Sequence, residues 1–180
     1  MTEAYLQHIA RLAEPGCRLS GLGPGASLWA VAQMIHGARV ADRRLPLLVV
    51  VPTPDDAERW VAELPHYLGE TIPVSLLPAD VVRPWDGLSP HPDIPRQRLV
   101  ALDLLERGVD AVIVAPARAL QQRVLPPQSL RNLRLEVACG DDLDRDAWIA
   151  QLVGLGYLVL PLAQDPGTLS WRGDVIDIWP

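Results

Sequence analysis

Two of the apolar stretches of this chain constrain its architecture more than anything else in it. Leu45–Val51 and Ala111–Val114 are continuous apolar runs. A strand with one wet face alternates polar with apolar residues; a run without alternation suits a parallel strand covered on both faces. Between the runs the period becomes helical. Leu28, Val31, Ala32 and Ile35 fall at i, i+3, i+4 and i+7, one stripe of a helix expected over Ser27 to about Ala38. Thr53-Pro54 is a helix start, with Thr53 as N-cap, Pro54 at the first helical position and Asp55, Asp56 and Glu58 beside the positive helix end. Ala57, Trp60, Val61 and Leu64 continue its apolar stripe. Further helices are expected over 2–13, over Arg96–Arg107 with Gly108 as the C-terminal cap, and over about Ala117–Arg123. Cys17–Leu19 and Ile72–Leu77 read as strands, and residues 78–95, rich in proline and without a period, as a long ordered loop. Strands alternating with helices imply an α/β fold, a parallel sheet with helices on both faces.

The pattern changes after Pro126-Pro127. Leu133–Ala138 and Tyr157–Leu160 read as strands around a helix over Leu143–Val153. Thr168–Arg172 and Asp174–Trp179 read as two more strands. This second part is expected to be a smaller α+β domain with antiparallel pairing. The expected domains are 1–125 and 126–180. The chain stops at Ile178-Trp179-Pro180, inside an expected strand, so a piece of a longer protein is expected.

Composition narrows the function classes. No apolar run reaches the roughly 18 residues that a spanning helix needs, and the first residues lack a signal-peptide pattern. A cytosolic protein is expected. Cys17 and Cys139 fit no metal spacing and read as reduced thiols. The net charge is −6, and all 16 basic residues are arginine. Tight nonspecific DNA binding needs several phosphate contacts at once, and an acidic chain is poorly suited to it.

The turn Gly21-Leu22-Gly23-Pro24-Gly25-Ala26-Ser27-Leu28 lies where a phosphate-binding loop belongs, after a strand and before a helix. The chemistry of GxxxxGK[ST] is missing from it. Ser27 stands in place of the lysine, Leu28 in place of the magnesium-binding hydroxyl, and Ala26 in place of the last glycine. Hydrolysis of a nucleotide is therefore not expected, nor is a bound cofactor. Gly21, Gly23 and Ala26 also match the dinucleotide pattern GxGxxG/A, but the nearest acid at the end of the next strand is Asp55, later than that pattern wants. Pro24 would also remove an amide where phosphate approaches. The third reading is a tight turn that uses glycine for backbone freedom.

Little else has catalytic spacing. His8, His36, His66 and His91 share no ligand spacing, and His91 beside Asp93 reads as a loop hydrogen bond. Asp141, Asp142, Asp144 and Asp146 surround a helix start and read as caps, not as a metal site. Arg172 is different. It precedes Gly173 at a strand junction in an arginine-poor region, with tryptophans close by. It reads either as a surface salt bridge to Asp174 or Asp177, or as a partner-binding arginine on a sheet surface, since arginine and tryptophan are favoured in binding hot spots.

These residues carry a resemblance. Leu169–Pro180 resembles the signature RGDVIDIFP shared by UvrB and the transcription-repair coupling factors (Mfd). Leu77–Ile94 is similar to the coupling-factor loop LPAWDxLPYDxxSPHxDI, and Val114–Val124 to its VxPVNTLMQRV. The likeness covers nearly the whole chain, and the altered loop Gly21–Leu28 favours the coupling factors over UvrB, which keeps a working loop. The resemblance implies a degenerate P-loop domain like UvrB domain 1a, without ATPase activity. A domain like UvrB domain 2, which contacts UvrA, follows it. Arg172, Gly173 and Trp179 would bind that partner. Motor and RNA-polymerase-binding regions would lie beyond residue 180, so RNA polymerase and DNA would be reached only through them. The chain departs from the family at Leu158 and Ser170, where arginines are expected. Two rival readings are a nucleotide- or dinucleotide-binding enzyme domain, and a regulatory domain that binds other parts of its own protein.

Overall fold

A computed structural model describes residues 16, 18–40, 46–69, 71–80, 87, 91 and 93–180. The expected helix over 2–13, Cys17, Leu45 and most of the 78–95 loop lie outside them. The chain divides into two compact units. One contains the residues up to Ala79 together with Val100–Gln122; the other contains Asp80–Leu99 and Arg123–Pro180.

The first unit is built on a parallel sheet of three strands, β1 (Leu47–Val51), β2 (Val74–Leu76) and β3 (Val112–Pro116), in the order β1-β3-β2. Leu47 and Val74 both lie in register with Val112, one on each side of β3. The central strand is buried along its whole length, and its alternation divides the core. Val112 and Val114 join Val49 and Val51 in a cluster with Leu28 and Ile35 of α1 (Pro24–Val40) and Trp60 and Leu64 of α2 (Pro54–Leu68). Ile113 and Ala115 point the other way and cluster with Leu77, Ala79 and Ala101, the last on α3 (Asp93–Arg107). Helices thus cover both faces of the sheet at β3, as its apolar run requires.

The coverage is incomplete at β1. Val49 and Val51 are buried, but Leu48 and Val50 are 41% and 49% exposed. At β1 the polar-free run is covered on one face only by the described residues. Next to it an open groove of about 560 Å³ is lined by Val31, Met34, Ile35, Ala38, Leu47 and Leu48. Arg39 Nε bonds Asp110 Oδ2 at 2.8 Å beside that groove.

The helix starts follow from local chemistry. Thr53 is extended (φ −122, ψ 159), and its hydroxyl oxygen accepts from the Asp56 N–H at 3.1 Å while Pro54 opens α2. That satisfies one of the donors a helix start leaves unpaired. α1 begins at Pro24, three residues before the expected Ser27, because proline at the first helical position is already set in φ and lacks only a donor that the helix does not use. After β3 the chain makes a 3-10 turn over Ala117–Gln121, shorter than the expected helix.

In the second unit α4 (Pro127–Leu133) replaces part of the strand expected over Leu133–Ala138. Pro127 opens it, and Gln128 stabilises it by bonding Asn132 and Arg131 at 3.1 and 3.0 Å. The Ala138 N–H then donates to Asp141 Oδ2 at 2.7 Å, a local bond that takes the donor a strand would need. α5 (Arg145–Gly154) follows, and a second sheet holds β4 (Leu158–Val159), β5 (Thr168–Arg172) and β6 (Val175–Trp179) in that order. Its pairing is mixed, not antiparallel throughout. β4 runs parallel to β5, and only β5 and β6 form an antiparallel hairpin. No helix among the described residues is long and apolar enough to cross a membrane.

Candidate partner-docking surface

The glycine-rich turn of the first unit has little of a ligand cradle. Gly21 has φ +77, which favours glycine. A Cβ added at Gly21, Gly23 or Gly25 would meet nothing within 4 Å, so no close approach of described residues demands glycine there. Gly25, Ala26 and Ser27 belong to the first turn of α1. The Ser27 hydroxyl donates back to the Gly23 carbonyl at 3.1 Å. Its proton is used within the turn.

The other polar candidates are also used locally. Asp144 caps α5, its Oδ1 accepting from the N–H groups of Asp146 and Ala147, both at 3.1 Å. The Asp93 N–H donates to His91 Nδ1 at 3.3 Å. His36 Nε2 donates to the Tyr67 carbonyl at 3.0 Å. Among the described residues no group of three or more histidines, cysteines or carboxylates could hold a metal. Cys139 is free and exposed.

Arg172, Gly173 and Trp179 come together on one hairpin. Arg172 is the last paired residue of β5, opposite Val175, and Trp179 lies opposite Thr168 at the far end. Directly opposed residues share a face of the sheet. One face therefore carries Thr168, Ser170 and Arg172 on β5 and Val175, Asp177 and Trp179 on β6. Leu158 of β4, in register with Thr168, lies on that face too. Arg172 and Trp179 are thus four strand positions apart, about 13 Å at the rise of an extended chain. Between them Thr168 and Ser170 are buried, while Leu158, Val175 and Trp179 are 64%, 61% and 47% exposed. The buried Thr168 hydroxyl is satisfied by the Asp165 carbonyl at 2.6 Å. Burial pushes the neighbouring Tyr157 phenol up from its ordinary pKa, so it stays neutral at physiological pH.

The salt bridge considered for Arg172 does not form. Among the described residues neither Asp174 nor Asp177 pairs with it; the cation near Asp174 Oδ1 is Arg145 Nη1, at 3.9 Å. Arg172 is exposed, and the positions where the family resemblance expects further arginines, Leu158 and Ser170, lie on its face of the sheet.

Arg145 is the residue that sequence reasoning missed. It opens α5, and its Nη1 donates to the Gly173 carbonyl at 2.7 Å, joining the helix start to the hairpin tip. One signal was present. A cation at the positive end of a helix is unfavourable, so an arginine there calls for a specific partner.

The hairpin lies in a segment, residues 135–180, that matches the family of the UvrB interaction domain. Over a wider span the chain is homologous to bacterial transcription-repair-coupling factors. It is 38% identical over 168 residues to that of Myxococcus xanthus, 90% of this chain. Identity is 32% over 164 residues to that of Haemophilus influenzae, also 90% of this chain, and 30% over 144 residues to that of Escherichia coli, 79% of it. The chain spans 14% of the length of the first two relatives and 12% of the third.

Proposed function

We propose that this chain is a non-hydrolysing docking module that recruits UvrA in transcription-coupled nucleotide excision repair. The observation behind this reading is an exposed arginine, without an ion pair among the described residues, on the same sheet face as an exposed tryptophan, within a segment that matches the UvrB interaction domain. Arg172 supplies a cation with a fixed fork of donors, suited to a carboxylate on the partner. Trp179 supplies apolar area at low entropic cost, and Gly173 allows the turn that presents Arg172. In this reading residues 1–125 form a degenerate P-loop domain that binds no nucleotide, and 126–180 form the UvrA-binding domain. The module acts in the cytoplasm. RNA polymerase and DNA are engaged by other regions of a longer, ATP-driven protein, whose remaining domains are further partners of this chain.

Calorimetry with purified UvrA tests this, wild type beside Arg172→Ala. A loss of at least tenfold in affinity, about 1.4 kcal/mol, is expected with an unchanged melting temperature. Equal binding by both proteins would remove Arg172 from the contact. Absence of binding by a folded wild-type chain would overturn the docking role.

A further inference from the structure

We infer that Arg145 is a positioning residue for the docking hairpin, holding the tip so that Arg172 leaves the sheet in one direction with its charge unpaired. The inference rests on the docking reading above and adds a residue to it.

The argument begins with the loop. Arg172 and Val175 are the last register pair, so Gly173 and Asp174 alone span the turn. Gly173 has φ +58, the left-handed value that the tight hairpin turns require at their first loop position. Its carbonyl belongs to the loop peptide, one residue past Arg172, and it accepts from Arg145 Nη1 at 2.7 Å. The guanidinium is itself fixed: its Nε and Nη2 lie 2.9 and 2.8 Å from Asp146 Oδ1. A planar fork held on one side by a carboxylate has little freedom left to aim its remaining donors. The helix start beneath is anchored in turn by the Asp144 cap.

Two consequences follow for Arg172. Its side chain has no ion pair among the described residues, and the bond to Gly173 restrains the backbone from which it leaves the sheet. Asp174, the nearest acid along the chain, is fully exposed and has Arg145 at 3.9 Å. Among the described residues the cation beside that carboxylate is Arg145, not Arg172.

The test uses the whole chain as wild type, Arg145→Ala, Arg145→Lys, Arg172→Ala and the double variant Arg145→Ala/Arg172→Ala. Two readouts are taken: amide hydrogen exchange over 172–175, and affinity for purified UvrA. Arg145→Ala is expected to speed tip exchange about fivefold and to weaken UvrA binding about fivefold, the size of one typical net hydrogen bond. Lysine, with a point charge and no fork, should restore part of both effects. The double variant should bind no more weakly than Arg172→Ala alone, because a residue acting through Arg172 has nothing to add once Arg172 is gone. A residue needed only for folding would weaken binding in both backgrounds. Unchanged tip exchange in Arg145→Ala overturns the inference, as do additive losses in the double variant. Unchanged affinity in Arg145→Ala beside weakened Arg172→Ala overturns it alone. Unchanged affinity in Arg172→Ala overturns the docking reading and this inference with it. Should Arg145→Ala not fold, the lysine variant decides by the same two readouts.

Discussion

β3 and β6 are each strands of five residues, rich in valine and isoleucine, and their side chains meet opposite surroundings. In β3 every residue is buried, and both alternating sets face helices. In β6 only Ile176 is even half-buried, and Val175, Ile178 and Trp179 are exposed. A strand in the middle of a parallel sheet commits all its side chains to the core and has none to offer a partner. The outer strand of a small sheet keeps its side chains available, and here it adds Asp177 and the neighbouring Arg172 to apolar ones. The same kinds of residue thus hold one unit together and lie exposed on the other. What separates the two roles is the number of layers stacked on the strand.

That contrast can be broken by substitution, starting where the largest effect is expected. Ile113→Ala opens a cavity at a fully buried site and should destabilise the first unit by about 2–5 kcal/mol in urea unfolding. A loss under about 1 kcal/mol would mean that β3 is less tightly enclosed than described. Thr53→Ala removes the cap of α2 and should cost about 1 kcal/mol, read by the same method. Smaller still is the expectation for Val175→Ala. On the exposed face of β6 it should change stability by no more than about 0.5 kcal/mol. A large loss there would show that the hairpin face is structural and would weaken the case for a docking surface.

Much of this was legible in the residues. The buried stripe Leu28, Ala32 and Ile35 and the cap at Thr53 appear where the sequence places them, because both rest on local periodicity or a neighbouring donor. The hairpin of Thr168–Arg172 with Val175–Trp179 was equally local. The misreadings came where local chemistry competes with an apolar pattern. Residues 133–138 alternate like a strand, yet Pro127 starts a helix before them and Asp141 captures an amide after them. The exposure of Leu48 and Val50 could not be read from a run of like residues, since it depends on what lies across the sheet. Arg145 was missed because its partner is 28 positions away. Sequence spacing does not announce such a contact, although a cation at the wrong end of a helix should prompt a search for one.

The strand order also sets a timetable for synthesis. Among the described residues β1 and β2 pair only with β3, which comes after both in the chain. Neither can satisfy its backbone in this sheet while Val112–Pro116 is still in the ribosome, a wait on the order of seconds at ordinary elongation rates. During that interval Leu47–Val51 is an apolar segment with no native partner, the kind of sequence that trigger-type holding factors or faulty pairing would reach first. Slowing translation between residues 76 and 112 would lengthen the exposure, so the nascent chain is most vulnerable well before the β5–β6 hairpin exists.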